Sequence, residues 1–325
     1  MTIDQLAENI ESGSRRFLAK GITLVESSKA EDKQKASELI NIVQKKNDTL
    51  RIGISGVPGV GKSTFIEALG NYLIEQGHKV AVLAVDPSSP TSGGSILGDK
   101  TRMESLSSKN QAFIRPSPTA GTLGGVTKRT RETIRLCEAA NYDIILIETV
   151  GVGQSEFEVA SMVDCFLVMM LPGGGDSLQG IKKGILEITD ILVINKADGE
   201  QKKLAERAKS EYQHAFHMIA PKYPNIKTAI KTMSALEHIG VKEVWATIAA
   251  FSQELKKNRL FEKNRNQQDL EWFKRLVEDE ILQKIWKGEV ATEKVKKLHQ
   301  NILNGSISPF IAAQNFLKTL EIEDK

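Results

Sequence analysis

The sequence has few of the features that mark secreted, membrane-anchored or metal-clustered proteins. It contains two cysteines in 325 residues, Cys137 and Cys165, and no Cys-x-x-Cys spacing. Such cysteines are typical of small buried side chains rather than of a disulfide or a metal site. The N-terminus has no apolar signal core, and the longest apolar run, around residues 165–171, is too short to span a bilayer. We therefore expect a cytoplasmic protein without a membrane anchor.

The sequence also lacks an excess of charge of either sign. Its 44 basic and 41 acidic side chains are interspersed and give a formal net charge of +3. A net charge this small does not favour binding to nucleic acid, and we expect a small molecule or another protein as the partner. With 40% hydrophobic residues, the chain can bury a large core, which favours one large domain with extensions.

Short apolar runs alternate with helical patterns through the middle of the chain. Several runs are β-branched and apolar at nearly every position, as in parallel strands that are covered on both faces. This alternation predicts an α/β fold with a doubly wound, mostly parallel sheet over residues 48–258. A helical extension over residues 1–47 precedes it, and a helical arm over residues 259–325 follows. The predicted strands are LRIGIS, VAVLAVD, AFIRP, YDIILIET, CFLVMML, ILVINK and TAIKTMS.

The arm has helices that are apolar on more than one side. Helices of this kind usually bury more than one face, so the arm either packs on its own domain or joins two copies of the chain. Ser308 and Pro309 predict the N-cap and the first residue of its last helix, and Gly305 closes the helix before it. One apolar stripe consists of Leu270, Phe273, Val277, Ile281 and Ile285.

A glycine-rich turn follows the first predicted strand and precedes a helix. Its segment GVPGVGKST places Gly56, Gly61, Lys62 and Ser63 in the spacing G-x-x-x-x-G-K-[ST]. In such a turn backbone N–H groups surround phosphate oxygens, the lysine reaches the β- and γ-phosphates, and the serine hydroxyl binds Mg²⁺. The sequence therefore predicts a nucleotide site whose phosphate contacts come from Gly56, Val57, Pro58, Gly59, Val60, Gly61, Lys62, Ser63 and Thr64.

A second motif, NKAD, follows the sixth predicted strand and indicates the base of the nucleotide. The Asp198 carboxylate can accept hydrogen bonds from the ring N–H and the amine of guanine, which adenine does not present there. Lys196 can lie along the base, and Asn195 can tie this loop to the phosphate loop. An isolated aspartate here would be read as a helix cap, but its place after a strand and a phosphate loop favours GTP. The backbone N–H groups predicted to address the guanine carbonyl are those of Ser234, Ala235 and Leu236.

Acidic residues near the ends of other strands are candidate Mg²⁺ ligands. Glu148 ends a predicted strand, and Gly151 follows three positions later, where its amide can sense the γ-phosphate. Asp86 and Asp99 bound the longest turn-rich region of the chain, and loops of this length in compact domains are usually functional or mobile. Taken alone, these acids would also suit strand ends and turns that face solvent.

The stretch LPGGGDSLQGIKKG, residues 171–184, is a second glycine-rich turn without the G-K-[ST] ending. It follows the strand between Glu148 and Asn195, so we expect it at the same crevice as the nucleotide. Asp176, Gln179 and Lys182 can then pair differently in the GTP and GDP states, which predicts a switch; the alternative is a flexible helix cap.

The segments GVPGVGKST, VDPSSPTSGGSILGDKTRM, ETVGVGQSE, LPGGGDSLQGIKKG and NKAD occur in this order, and the chain resembles the methylmalonyl-CoA mutase-associated GTPases of the MeaB/ArgK family of P-loop GTPases. The resemblance covers nearly the whole chain. It implies a GTPase that chaperones an adenosylcobalamin-dependent acyl-CoA mutase, gating cofactor loading and protecting or reactivating the enzyme. It also implies a homodimer joined through the C-terminal helices. By motif match, Lys62, Asp99 and Glu148 take catalytic roles, and Ser63, Asp86, Asp99 and Glu148 hold Mg²⁺.

Three other functions remain open from the residues. A kinase or ATPase linked to amino-acid transport conflicts with the guanine selection expected of Asp198. A metallochaperone GTPase would need more ligands than His214 and His217, which are one helical turn apart. A targeting GTPase would need a methionine-rich domain, and the chain has seven methionines. Since no glutamine is evidently placed to orient the attacking water, we expect slow hydrolysis that a partner accelerates.

Overall fold

The computed structural model of the chain describes residues 1–27, 29–44, 48–85, 103–117, 123–149, 155–173, 183–287 and 289–318. The chain divides into two compact units, Met1–Arg265 and Asn266–Lys325. Within the described residues, no helix has the length and apolarity needed to cross a membrane. Cys137 and Cys165 are both buried and free, as the sequence predicts.

The first unit is built on a parallel sheet that contains all seven predicted strands. Its strand order is β3-β2-β4-β1-β5-β6-β7, and every neighbouring pair is parallel. The predicted α/β fold is therefore confirmed. The strands are β1 (Leu50–Gly56), β2 (Val80–Val85), β3 (Ala112–Ser117), β4 (Ile144–Thr149), β5 (Cys165–Met170), β6 (Ile191–Ile194) and β7 (Ala229–Thr232).

Helices cover both faces of this sheet, which explains why its strands are apolar at consecutive positions. In β5 and β6 every residue is buried. Side chains of alternate strand residues join two separate cores, one on each face. One core includes residues of α1 (Ile3–Glu11), α2 (Arg15–Glu26), α3 (Ala30–Ile42), α6 (Leu123–Ala139), α7 (Ser155–Ala160), α8 (Lys183–Ile188) and α9 (Gln201–His217). The other includes residues of α4 (Lys62–Glu75), α5 (Glu104–Ser107) and α10 (Val241–Lys257).

The position of β1 determines where a ligand can bind. It lies between β4 and β5. The strands β2, β3 and β4 lie on one side of β1, and the strands β5, β6 and β7 lie on the other side. Strand order reverses at such a position, so the loops at the carboxyl ends of the strands separate and leave a crevice. The GVPGVGKST turn follows β1 and therefore lies at this crevice.

A buried ion cluster lies at the opposite, amino edge of the sheet. Arg265 makes two hydrogen bonds to Asp164, from Nε to Oδ1 at 2.7 Å and from Nη2 to Oδ2 at 2.6 Å. Its Nη2 also donates to the Thr49 carbonyl at 2.5 Å. Arg51 Nε donates to Glu138 Oε1 at 2.7 Å beside it. Because Asp164 immediately precedes β5, the cluster attaches the start of the next helix, α11 (Leu260–Lys287), to the sheet.

The second unit contains the rest of α11 together with α12 (Glu289–Leu303) and α13 (Pro309–Lys318). The last helix begins where the sequence predicts, because Ser308 Oγ accepts the backbone N–H of Ile311 at 3.3 Å and Pro309 is the first helical residue. Trp286 stacks on Phe316 with ring centroids 5.5 Å apart. In contrast, Leu270, Phe273, Val277 and Ile281 are all exposed.

Candidate nucleotide site

The turn between β1 and α4 requires glycine at two positions. Gly56 has φ +148°, and a Cβ atom there would lie 2.4 Å from the Met169 carbonyl oxygen of the neighbouring strand. Gly61 has φ +97°, and its Cβ atom would lie 2.6 Å from Asn195 Nδ2. Other residues would strain the backbone and collide with these neighbours, so both glycines are needed for the turn to adopt this path.

Lys62, the first residue of α4, has its ammonium group within the turn. Nζ donates to the Gly56 carbonyl at 2.7 Å and to the Val57 carbonyl at 3.4 Å, and the residue is 8% exposed. Burial lowers the pKa of Lys62, while the negative charges of Glu148 and, to a smaller extent, Glu156 raise it. The turn therefore holds a buried positive charge that two nearby carboxylates stabilise.

Ser63 and Glu148 come from different elements and meet beside this lysine. Ser63 is in the first turn of α4, and Glu148 is near the end of β4, paired in register with Ile54 of β1. Ser63 Oγ donates to Glu148 Oε1 at 3.2 Å. A hydroxyl and a carboxylate side by side provide oxygen ligands of the kind that a hard divalent cation prefers.

Asn195 connects the phosphate loop with the loop that follows β7. Its Nδ2 donates to the Val60 carbonyl at 2.8 Å, and its Oδ1 accepts the Ala235 N–H at 2.9 Å. Asn195 is 2% exposed, so both hydrogen bonds are shielded from water. Three segments that are distant in sequence are thereby fixed to one another by one amide side chain.

The other NKAD residues follow β6 in the same loop as Asn195. Lys196 has φ +59°, and the Asp198 carboxylate accepts the Ser234 hydroxyl at 2.5 Å. The Ser234 N–H already donates to the Ile239 carbonyl at 3.0 Å, so a guanine carbonyl would compete with acceptors within the protein for it and for the Ala235 N–H. Leu236, by contrast, is 74% exposed.

The structure thus brings together most of the predicted nucleotide residues. Val60 is buried beneath the phosphate loop, and Val57, Pro58, Gly59 and Thr64 are exposed along it. Six predicted residues lie outside the described part of the chain: Asp86, Asp99, Gly151, Asp176, Gln179 and Lys182.

One acidic residue at this edge was not singled out from the sequence. Glu156, in the first turn of α7, is 1% exposed and is close enough to Lys62 to raise its pKa. The only sequence signal for it is an acid at the start of a helix that follows the glycine-rich VGVGQ segment. Such an acid is ordinary at a helix start, and its burial could not be foreseen.

Comparisons with known proteins agree with this geometry. A family model described as methylmalonyl Co-A mutase-associated GTPase MeaB matches residues 18–290. A probable GTPase of Mycobacterium tuberculosis (strain H37Rv) is 48% identical over 325 residues, which cover 100% of this chain and 97% of the relative. The GTPase ArgK of Escherichia coli is 44% identical over 309 residues, with 95% and 93% covered.

A mouse relative and a solved structure extend the comparison. The mitochondrial methylmalonic aciduria type A homolog of Mus musculus is 44% identical over 330 residues, which cover 98% of this chain and 80% of the relative. A crystal structure described as an LAO/AO transport system kinase has a TM-score of 0.79 and 36% identity, with 98% of this chain and 97% of that chain covered. The chain belongs to the methylmalonyl-CoA mutase-associated GTPase family MeaB and is a P-loop GTPase that binds guanine nucleotide.

Proposed function

We propose that this GTPase is a chaperone of an adenosylcobalamin-dependent acyl-CoA mutase, with methylmalonyl-CoA mutase as the first candidate. In this role it gates loading of the cofactor and protects or reactivates the mutase. The family description and the mouse relative support the choice of partner. The observation that carries the GTPase part of the proposal is the crevice at β1, where Lys62, the Ser63–Glu148 pair and Asn195 lie together.

We assign the nucleotide contacts as follows. The backbone N–H groups within residues 56–64, which proline at position 58 lacks, surround the β-phosphate, and the Lys62 ammonium exchanges its carbonyl acceptors for β- and γ-phosphate oxygens. Asp198 accepts from guanine while the Ser234 hydroxyl holds its carboxylate, and Lys196 lies along the base. Leu236 offers its N–H to the guanine carbonyl.

The residues at the phosphate loop also fit Mg²⁺. The Ser63 hydroxyl would bind the ion directly and Glu148 through a water molecule, since their oxygens already lie 3.2 Å apart. Asp86 and Asp99 would complete the site, on the resemblance alone. When bound, the ion neutralises charge on the β- and γ-phosphates.

We further propose that nucleotide state is communicated to the mutase by the segments around Gly151 and residues 171–184. In this scheme Asp176, Gln179 and Lys182 contact the partner in one state only. Lys182→Ala should leave GTP affinity within about two-fold and weaken mutase-stimulated hydrolysis. Equal loss of both would make Lys182 an ordinary nucleotide ligand.

The test of the chaperone function uses the full chain and purified mutases. The protein is mixed with methylmalonyl-CoA mutase or a related acyl-CoA mutase, and complex formation and GTP hydrolysis are measured with GTP, GDP or no nucleotide. We expect a nucleotide-dependent complex and faster hydrolysis with one mutase. Hydrolysis that is the same with and without every mutase would refute the chaperone proposal and leave the GTPase assignment intact.

We also propose a homodimer formed by the second unit. Leu270, Phe273, Val277 and Ile281 form an exposed apolar stripe on α11, and stripes of this kind usually mark an interface. Phe273→Glu should convert a dimer to a monomer in analytical ultracentrifugation. The exposed Lys274→Glu on the same helix serves as the control and should leave the dimer intact.

A further inference from the structure

A buried carboxylate near the phosphate loop has no role in the assignments above. Glu156 is 1% exposed, and its Oε2 atom accepts no hydrogen bond from any residue that the structure describes. A buried carboxylate oxygen that lacks a donor is unfavourable by about 1–3 kcal/mol, and by more when the group is charged. A group of this kind therefore indicates a ligand that supplies the donors.

The packing of α7 shows where this carboxylate lies. Val159, one turn after Glu156, packs on β1, because a Cβ atom at Gly53 would lie 2.9 Å from Val159 Cγ1. Val159 and Glu156 share one face of α7, three residues apart. Glu156 thus faces the sheet one turn closer to the start of the helix, near the end of β1 that leads into the phosphate loop.

Glu148 and Glu156 approach Lys62 from opposite faces of the sheet. Ile147 and Thr149 flank Glu148 in β4, and Ile147 belongs to the core that contains Val159, so Glu148 points to the face of α4. Glu156 is on the face of α7. Both negative charges raise the pKa of Lys62 against the effect of burial, which places both near the ammonium group.

The chemistry of a carboxylate limits what Glu156 can bind. An ionised carboxylate only accepts hydrogen bonds, and it repels phosphate oxygens. It is therefore unsuited to hold GTP itself. The Mg²⁺ oxygens proposed above, Ser63 and Glu148, are on the other face. Within the nucleotide site proposed above, a water molecule at the γ-phosphate is a donor that fits an acceptor on this face.

We propose that Glu156 is a catalytic residue that accepts a hydrogen bond from the water that attacks GTP. The water oxygen forms a bond to the γ-phosphorus, and the bond from that phosphorus to the β,γ-bridging oxygen breaks, with its electron pair leaving on GDP. The water proton ends on the released phosphate. Glu156 orients the water and is unchanged at the end. This inference rests on the nucleotide site proposed above and assigns the water-orienting role to a residue that the structure describes.

The test compares Glu156→Ala and Glu156→Gln with the wild-type chain. Single-turnover hydrolysis of GTP is measured at saturating protein, and the Kd values of fluorescent GDP and of a slowly hydrolysed GTP analogue are measured separately. We expect Glu156→Ala to reduce the hydrolysis rate on the order of 100-fold, a magnitude typical of a lost proton acceptor or water-orienting group. Both Kd values should stay within about three-fold.

Glu156→Gln keeps an acceptor oxygen and the size of the side chain, so its rate should fall less than that of the alanine variant. If Glu156→Ala does not fold, Glu156→Gln carries the test, with a loss on the order of 10-fold expected. Glu158→Ala, on the same helix and half-buried, is the matched control and should hydrolyse GTP like the wild type.

Two outcomes would overturn the inference. If hydrolysis and both affinities fall together, Glu156 acts only as a charge partner of Lys62. If a folded Glu156 variant hydrolyses GTP at the wild-type rate, the carboxylate has no part in the reaction. Either result is distinct from failure of the nucleotide site itself, in which the wild-type chain would bind no GTP.

Discussion

Asn195→Ala should weaken guanine-nucleotide binding, although we expect no direct contact between the Asn195 side chain and the nucleotide. The substitution releases two loops that are expected to contact the nucleotide. The wild-type side chain makes hydrogen bonds of 2.8 Å to the Val60 carbonyl and 2.9 Å from the Ala235 N–H. Each such bond contributes about 1 kcal/mol net, and each buried group left without its partner loses about 1–3 kcal/mol. The two groups left without a partner, the Val60 carbonyl and the Ala235 N–H, therefore lose about 2–6 kcal/mol in total.

This free energy is divided between folding and binding. If about 2 kcal/mol appears in binding, the Kd for GDP rises about 30-fold, since 1.4 kcal/mol corresponds to ten-fold. The assay is titration with a fluorescent GDP analogue, combined with thermal unfolding of the free protein. Asn266→Ala, at an exposed position of α11, is the control and should match the wild type in both measurements.

The result that would refute this reasoning is a Kd for GDP within two-fold of the wild-type value in a folded Asn195→Ala variant. A lower unfolding temperature with unchanged affinity would have the same meaning. In either case the loops hold their positions without the asparagine, and its two hydrogen bonds stabilise the fold only.

Three further predictions concern the base, the ion cluster and the cysteines. Asp198→Asn should weaken GTP binding about 100-fold or more and favour XTP, because the amide offers a donor where the carboxylate accepted; competition binding with GTP and XTP measures this. Asp164→Ala leaves Arg265 buried without its main partner, so it should lower the free energy of unfolding by about 3–5 kcal/mol in a denaturant titration. The control is Asp279→Ala at an exposed position, which should change the free energy of unfolding by less than about 0.5 kcal/mol. Burial raises the pKa of the Cys137 and Cys165 thiols, so neither should react with DTNB until denaturant is added; rapid reaction of the native protein at neutral pH would contradict their placement.

The strands and the phosphate loop could be predicted from sequence because their signals are local. Each strand is a short apolar run bounded by polar residues, and the phosphate loop is a fixed spacing directly after such a run. The start of the last helix is also a local signal, because Ser308 caps the N–H of Ile311 and Pro309 is the first helical residue. These features depend on neighbours in the chain, so a single sequence carries them.

The arrangement of the site depends on strand order, which is set by contacts between distant segments. That β1 lies between β4 and β5 determines which acid reaches Ser63, and no local pattern encodes this. Burial of Glu156 likewise depends on how α7 packs on β1, and the Ser234 hydroxyl reaches Asp198 across 36 residues. The roles of Asp86, Asp99 and residues 174–182 stay predictions, since they lie outside the described residues.

β5 links two regions that the sequence presents as unrelated. Asp164, just before it, holds Arg265 at the root of α11, and Leu171, just after it, begins the LPGGG turn. Six extended residues separate these points, about 20 Å of fully buried and hydrogen-bonded strand. Because every residue of this strand is buried and its backbone is paired on both sides, the distance between its two ends is fixed. The ion pair at the start of α11 and the turn that leads toward the proposed switch segment therefore lie at the two ends of one buried strand, and substitutions of its buried residues should disturb both ends together.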